Sequence, residues 1–356
     1  MADAVADAHT WPDVLSGLLL GRDLDPDAAA WAMDRIMSGE ASASQVGGFL
    51  MALKAKGESV GELSAIADVM LAHAHRFEVP SPSIDIVGTG GDRAHTVNIS
   101  TMTAIVVAAT GLRVVKHGNR AASSSSGAAD VLEALGVDLS LTPAQVRAVG
   151  ERAGITFCFA QAFHPSMRYA APTRRDLGVP TVFNALGPLT NPAQPTYAAV
   201  GVADARLAPL VAGVFAGRGR RAAVFRGEDG LDELTLAGPS RVWWVADGAV
   251  SEHVLAPGDV GLDEAPLDAL RGGDPAHNAE VVRALVDGAR GPVRDAVALN
   301  AGIALAVADA QVPASPTAAG ELIAAVRSGV VTAAATIDSG AAAATLERWI
   351  AATKSI

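Results

Sequence analysis

The residues best equipped to bind a charged ligand stand in short runs, the first being Gly88-Thr89-Gly90-Gly91-Asp92 directly after the apolar stretch 84–87. Three glycines in four positions let a backbone turn sharply and bring its N–H groups against an anion. Asn98-Ile99-Ser100-Thr101 follows where a helix should open, and the unpaired N–H groups and dipole of a helix start favour phosphate. Strand, glycine turn and helix start together make a diphosphate cradle. An ordinary strand-to-helix turn capped by Asn98 or Ser100 fits these residues equally well. A dinucleotide fingerprint is excluded, since Arg93 stands where its third glycine belongs, and the Gly-Lys-Ser/Thr ending of a Walker loop is absent.

A second run, Lys116-His117-Gly118-Asn119-Arg120, closes the next apolar stretch and leads to Ser123, Ser124, Ser125, Ser126 and Gly127. At a strand end these polar groups should emerge on the same carboxyl edge as the glycine turn, where open α/β sheets bind ligands. Lys116 and Arg120 would bring positive charge, and Asn119 and the serines neutral hydrogen bonds. The bland alternative is a flexible loop with a solvated Lys–Arg pair. Third, Asp229-Gly230-Leu231-Asp232-Glu233 sets carboxylates side by side with no basic residue among them. Hard oxygen donors of this kind suit Mg2+ shared with phosphate and water, although an acidic turn standing alone is more often a solvated loop. Last come His164-Pro165-Ser166-Met167-Arg168, Arg174-Arg175-Asp176 and the stretch 184–192. Arginine grips a carboxylate at two points, but an isolated one is usually a surface residue. His164 reads equally as a core histidine, and His9, His73, His75, His95, His253 and His277 make no metal-ligand spacing.

The elements that must position these runs follow from periodicity. Residues 1–80 read as helices: one through Trp11, Val14, Leu15, Leu18 and Leu19, then 29–36, 42–55 and 59–75. Pro80-Ser81-Pro82 closes that segment. Across 81–356 strands alternate with helices: strand 84–87, helix 100–110 ended by Gly111, the strand ending KHG, helix 124–135 stopped at Gly136, then ITFCFA, AAVGVA and AAVFRG. The expected class is α/β, a small N-terminal helical domain plus a large domain with a mostly parallel central sheet flanked by helices. Part of 165–195 should return to the helical domain, and Ala-rich helices dominate from Val281 onward.

Composition narrows the function. The chain has 356 residues, half of them hydrophobic, enough for about two domains. Its formal net charge is −11 with no dense Lys/Arg run, so general nucleic-acid affinity is not expected. The single cysteine, Cys158, precludes an intrachain disulfide and a multi-cysteine metal cage, and its apolar neighbours read as core. The N-terminus has no basic segment followed by an apolar one, and the longest apolar runs are broken by Gly or charge short of a membrane span. The expected setting is cytoplasmic, with no membrane partner.

Taken in order in one chain, GTGGD with NIST, KHGNRA with its serine loop and ADVLEALG, HPSMR through LGPLTNP, and DGLDE resemble the anthranilate phosphoribosyltransferase family over nearly the whole length. The resemblance implies transfer of a 5-phosphoribosyl group from phosphoribosyl diphosphate (PRPP) to the amine of anthranilate, in tryptophan biosynthesis. It implies that Gly88, Thr89, Gly91, Asp92, Thr96, Asn98, Ser100, Thr101, Lys116, Ser123, Ser124, Ser125, Ser126 and Gly127 hold PRPP. Gly88, His117, Asn119, His164 and Arg174 would line the anthranilate side, with Arg174 on its carboxylate. Ser100, Asp232 and Glu233 would hold Mg2+. No residue is assigned as acid or base, and a homodimer through the helical domain is implied. Where many members carry Lys in the serine loop this chain has Ser125, which removes one possible phosphate contact. Two rivals remain: an enzyme like the pyrimidine nucleoside phosphorylases of the same fold, and a non-catalytic nucleic-acid-binding relative, which should be basic around its cleft.

Overall fold

The computed structural model describes residues 9–121, 125–313 and 319–356. Two compact units emerge, one of residues 1–74 with 164–186, the other of 75–163 with 187–356. The first opens with α1 (Trp11–Leu19), α2 (Pro26–Met37), α3 (Ala43–Lys56) and α4 (Val60–Ala72). Each start is fixed by a side-chain cap, from Thr10, Asp25, Ser42 and Ser59 respectively. Caps of this type stabilise a helix by about 1 kcal/mol, because they satisfy N–H groups that have no partner in the first turn. Leu18, Met33, Ile36, Phe49, Leu53 and Ile66 supply the unit's interior.

The chain then builds most of a sheet. In order come β1 (Ser83–Gly88), α5 (Ile99–Ala109), β2 (Arg113–Gly118), α6 (Ala128–Leu135), α7 (Pro143–Ala153), β3 (Ile155–Phe159) and α8 (Ala160–Phe163). It returns to the first unit for α9 (Ala171–Leu177) and α10 (Phe183–Leu186). The second unit resumes with β4 (Tyr197–Gly201), α11 (Ala208–Gly217), β5 (Arg221–Gly227), β6 (Ser240–Ala246), β7 (Ala249–Leu255) and α12 (Pro275–Val286). It ends with α13 (Pro292–Ala308), α14 (Ala319–Asp338) and α15 (Ala341–Lys354).

Among the described residues the strands form one sheet in the order β3-β2-β1-β4-β5-β6-β7. The first five run parallel, and β6 and β7 add antiparallel pairs at one side. The sheet is mostly parallel, as expected, with the antiparallel hairpin β6–β7 added at one edge. The antiparallel hairpin turns at Asp247 and Gly248, both with positive φ, which is the geometry Asp-Gly favours between paired strands. Helix α6 begins at Ala128 rather than at 124, behind Gly127, and Ser123 and Ser124 lie outside the described residues.

Helices α5, α13, α14 and α15 contribute to the sheet's main apolar core. Almost every residue of α5 is buried, including Ile105 and Val106, each worth about 1.5–3 kcal/mol relative to exposure. Gly302 of α13 and Gly329 of α14 meet at their backbones: a Cβ on Gly329 would lie 2.6 Å from the Gly302 carbonyl oxygen. Among the described residues one helix, Gly320–Asp338, is long and apolar enough by length and composition to cross a membrane. Glu321, Arg327 and Gly329 interrupt its apolar run. Its Leu322, Val326, Val330, Ala333 and Ile337 belong to the core, as in a buried helix of a globular unit.

Candidate active site

Strand order fixes where a ligand belongs. From β1 the chain moves outward through β2 and β3, then crosses to β4 on the other side of β1. A crevice forms at such a switch point, outside the carboxyl ends of the strands. Gly88 ends β1 and Gly201 ends β4 in register beside it. The turn that follows needs its glycines for conformation, since Gly90 and Gly91 have φ of 67° and 90°. Thr89 is tied down: its N–H donates to Gly201 O at 2.9 Å and its hydroxyl accepts from Ala203 N at 3.1 Å. Asp92 accepts from Ala94 N at 3.1 Å, and Thr96 forms a bridge with Arg271. Arg93 and His95 also sit at positive φ, which stores about 1 kcal/mol or more of strain apiece in this loop.

Against that turn lies the acid pair that follows β5. Asp232 accepts from Gly90 N at 2.7 Å, and a Cβ on either Gly88 or Gly201 would collide with Asp232. Gly201 is thus a site residue that motif reading missed, and its signal is its place at a strand end opposite Gly88. Burial pushes the Asp232 carboxyl up to about 7, reinforced by the charge of Asp92. Glu233 is pushed well above the carboxylate range by burial and by Asp232, and it accepts from the backbone of Ser100 in the first turn of α5. Asp229 is not part of this cluster: it accepts from Leu231 N at 3.1 Å and from the Thr235 hydroxyl at 2.7 Å, closing its own turn.

Lys116 departs from the expectation that it emerges at the strand edge. It is 1% exposed, with Nζ donating to Ile86 O at 2.5 Å and to Ser100 Oγ at 3.1 Å. Burial pulls its ammonium down, while Asp85, Glu233 and Asp232 hold it up. The cation therefore lies beneath the glycine turn, within the field of both acids. Asp85, hidden in the apolar stretch of β1, is the second residue missed. Its carboxylate accepts from His117 N at 3.0 Å and from Asn191 Nδ2 at 2.9 Å. Burial raises it to about 6 against the pull of Asn191 and Lys116. His117 Nδ1 lies 2.8 Å from Gly187 O, an acceptor only, so Nδ1 carries a hydrogen.

The remaining loop residues are knitted together. Asn98 stands at the N-cap of α5, but its side chain makes no cap bond; it donates to Ser126 O at 3.1 Å and accepts from Asn278 Nδ2 at 2.9 Å. Thr101, one residue into the helix from Ser100, is fully buried, and its hydroxyl has no hydrogen-bond partner among the described residues. Asp130 caps α6 by accepting from Gly127 N and Ala121 N, both at 2.9 Å. Asn119 accepts from Arg120 N at 2.8 Å and from Gln161 at 3.4 Å. Arg120 directs its charge to Asp130 and Glu133 rather than to the crevice. Ser125 is exposed and Ser126 buried.

His164 and Arg174 belong to the helical unit. His164 is buried and precedes the short 3-10 turn Pro165–Tyr169. Arg174 lies on α9, half-buried, while its neighbour Arg175 is exposed. Burial lowers the Arg174 guanidinium, and among the described residues no hydrogen bond or ion pair reaches it.

Mg2+ suits the donors present. Two buried carboxylates and a serine hydroxyl are hard ligands. Burial raises both acids first, the charge of Asp92 adds to the rise at Asp232 and that of Asp232 to the rise at Glu233, and Lys116 opposes the rise at Glu233. Among the described residues no three His, Cys, Asp or Glu side chains form a cage, so such an ion would take its remaining ligands from phosphate and water.

Comparison with known proteins gives consistent matches. Residues 12–74 match the helical bundle domain of a glycosyl transferase family, and residues 81–343 match its a/b domain. The anthranilate phosphoribosyltransferase of Streptomyces griseus is 59% identical over 350 residues, covering 98% of this chain and 97% of that protein. The crystal structure of the Thermus thermophilus anthranilate phosphoribosyltransferase superposes with a TM-score of 0.87 at 42% identity, over 96% of this chain and 100% of that one. The Saccharomyces cerevisiae anthranilate phosphoribosyltransferase in complex with PRPP and Mg gives a TM-score of 0.87 at 28% identity, over 97% and 98%.

Proposed function

The chain belongs to the anthranilate phosphoribosyltransferase family, and we propose from this that it transfers the 5-phosphoribosyl group of PRPP to the amine of anthranilate, in tryptophan biosynthesis. The observation that carries the residue assignment is the buried triad of Asp232, Glu233 and Lys116 around the glycine turn at the sheet's switch point. PRPP lies along Gly88, Thr89, Gly91, Asp92, Thr96 and the start of α5 at Ser100 and Thr101, with Asn98 shaping the loop. Residues 123–127 supply further hydrogen bonds to its phosphate. Ser100, Asp232 and Glu233 would hold Mg2+, which when bound would neutralise charge on the diphosphate. Anthranilate meets Gly88, His117, Asn119 and His164, with Arg174 on its carboxylate.

The chemistry asks little of acid–base groups. An aryl amine is neutral at pH 7 with its lone pair free, so attack on ribose C1 needs no prior deprotonation. As the C1–O bond breaks, negative charge gathers on the leaving diphosphate, and Lys116 with the turn's N–H groups stabilises it. Holding the two substrates in line supplies the rest, up to about 7–11 kcal/mol in favourable systems. Purified protein with PRPP, Mg2+ and anthranilate should lose anthranilate fluorescence only when all three are present. Cleavage of thymidine or uridine by phosphate without Mg2+, and no fluorescence loss, would replace this reading with the phosphorylase one. The protein acts in the cytoplasm as a homodimer through its helical unit; Leu19 and Leu20, 78% and 70% exposed at the end of α1, support that surface. Sedimentation of Leu19→Asp as a monomer tests it.

A further inference from the structure

The geometry points to Phe183 as the positioning residue that holds Arg174 in the pose for a carboxylate; this rests on the assignment of Arg174 to anthranilate above. The Arg174 guanidinium carbon lies over the Phe183 ring, 4.8 Å from its centroid. An arginine half-removed from water, with no counter-charge among the described residues, needs another source of stabilisation. The negative face of an aromatic ring provides it without using any N–H group. A guanidinium resting on a ring gives up one face and keeps its N–H edges for a planar anion. An ion pair in place of the ring would occupy those edges and compete with the substrate.

Both partners are anchored from outside the contact. Arg174 sits mid-helix in α9, where its N–H donates to Ala170 O at 3.0 Å and its carbonyl accepts from Gly178 N at 3.2 Å. Phe183 opens α10, which Asn184 fixes by accepting from Thr181 N at 3.0 Å. Val182, Ala185 and Leu186 around it are buried, so the ring is part of a packed wall. The position therefore calls for an aromatic face, beyond a merely apolar filling.

Steady-state kinetics on Phe183→Leu, Phe183→Trp and Arg174→Ala, singly and with Phe183→Leu and Arg174→Ala combined, tests this, with thermal melting to confirm folding. Phe183→Leu should raise the anthranilate KM about fivefold to tenfold, leave the PRPP KM within about twofold, and add nothing further in the Arg174→Ala background. Phe183→Trp, which keeps a ring face, should stay near the parent. Equal rises in both KM values, or a Phe183→Leu effect that persists in full without Arg174, would overturn the inference. If Arg174→Ala itself leaves the anthranilate KM unchanged, the assignment beneath it falls instead, so the two failures are distinguishable.

Discussion

The two regions proposed to meet the substrates hold their charges in opposite ways. In the α/β unit, Asp85, Lys116, Asp232 and Glu233 are all buried, and each is held by the others or by backbone N–H groups. In the helical unit, Arg174 is held by an aromatic face, with no anion paired to it among the described residues. A network that already contains both signs responds to pH and to cations. A lone cation on a ring responds to the shape of its support and to one incoming anion. The difference matches the two ligands proposed, a diphosphate with its metal and a single carboxylate.

Asp232→Asn should break the first region most severely. It removes one proposed Mg2+ ligand while keeping size, and kcat/KM for PRPP should fall about a hundredfold or more, with a higher Mg2+ requirement. An unchanged Mg2+ dependence in initial-rate assays would count against the role. Arg174→Ala strikes the second region, raising the anthranilate KM about 30-fold, near 2 kcal/mol, with little change for PRPP. Matching losses for the two substrates would remove Arg174 from its place.

Smaller effects sharpen the contrast. Gly88→Ala pushes a methyl group into the Asp232 carboxylate, so the PRPP KM should rise about tenfold as that residue is displaced, a strain cost of about 1–3 kcal/mol. Smallest is a pH slope. Asp85 and Asp232 are raised to about 6 and about 7, so between the ordinary carboxylate range and those values the folded chain binds more protons than the unfolded one. Stability is therefore lost as pH rises through that window, and melting temperature without ligands should fall from about pH 4 to about pH 7. Asp85→Asn should flatten the part of the slope near 6, and Arg174→Ala should leave it intact. A slope insensitive to Asp85 would show that the charge responds elsewhere.

Much of this arrangement is legible in the sequence, and the rest is hidden for identifiable reasons. The strand–glycine–helix passage around Gly88 is legible because three glycines and a helix start have few other uses together. Asp85 is not, because one acid among Ile84, Ile86 and Val87 vanishes into an apolar average, although a carboxylate inside a parallel strand is itself the clue. That Lys116 points inward depends on the helix packed against β2, which strand alternation alone does not specify. The β6–β7 hairpin had its signal in Asp247-Gly248, outweighed by the parallel pattern before it. Phe183 needed the fold, since only the backbone path from α9 to α10 brings it under Arg174.

The separation of the two regions is tested most directly by calorimetric titration of PRPP with Mg2+ into the parent protein, Arg174→Ala and Asp232→Asn. The account predicts PRPP affinity within about twofold of the parent for Arg174→Ala and at least about tenfold weaker for Asp232→Asn. Equal weakening in both variants would contradict it, because the helical unit's arginine would then be serving the diphosphate as well.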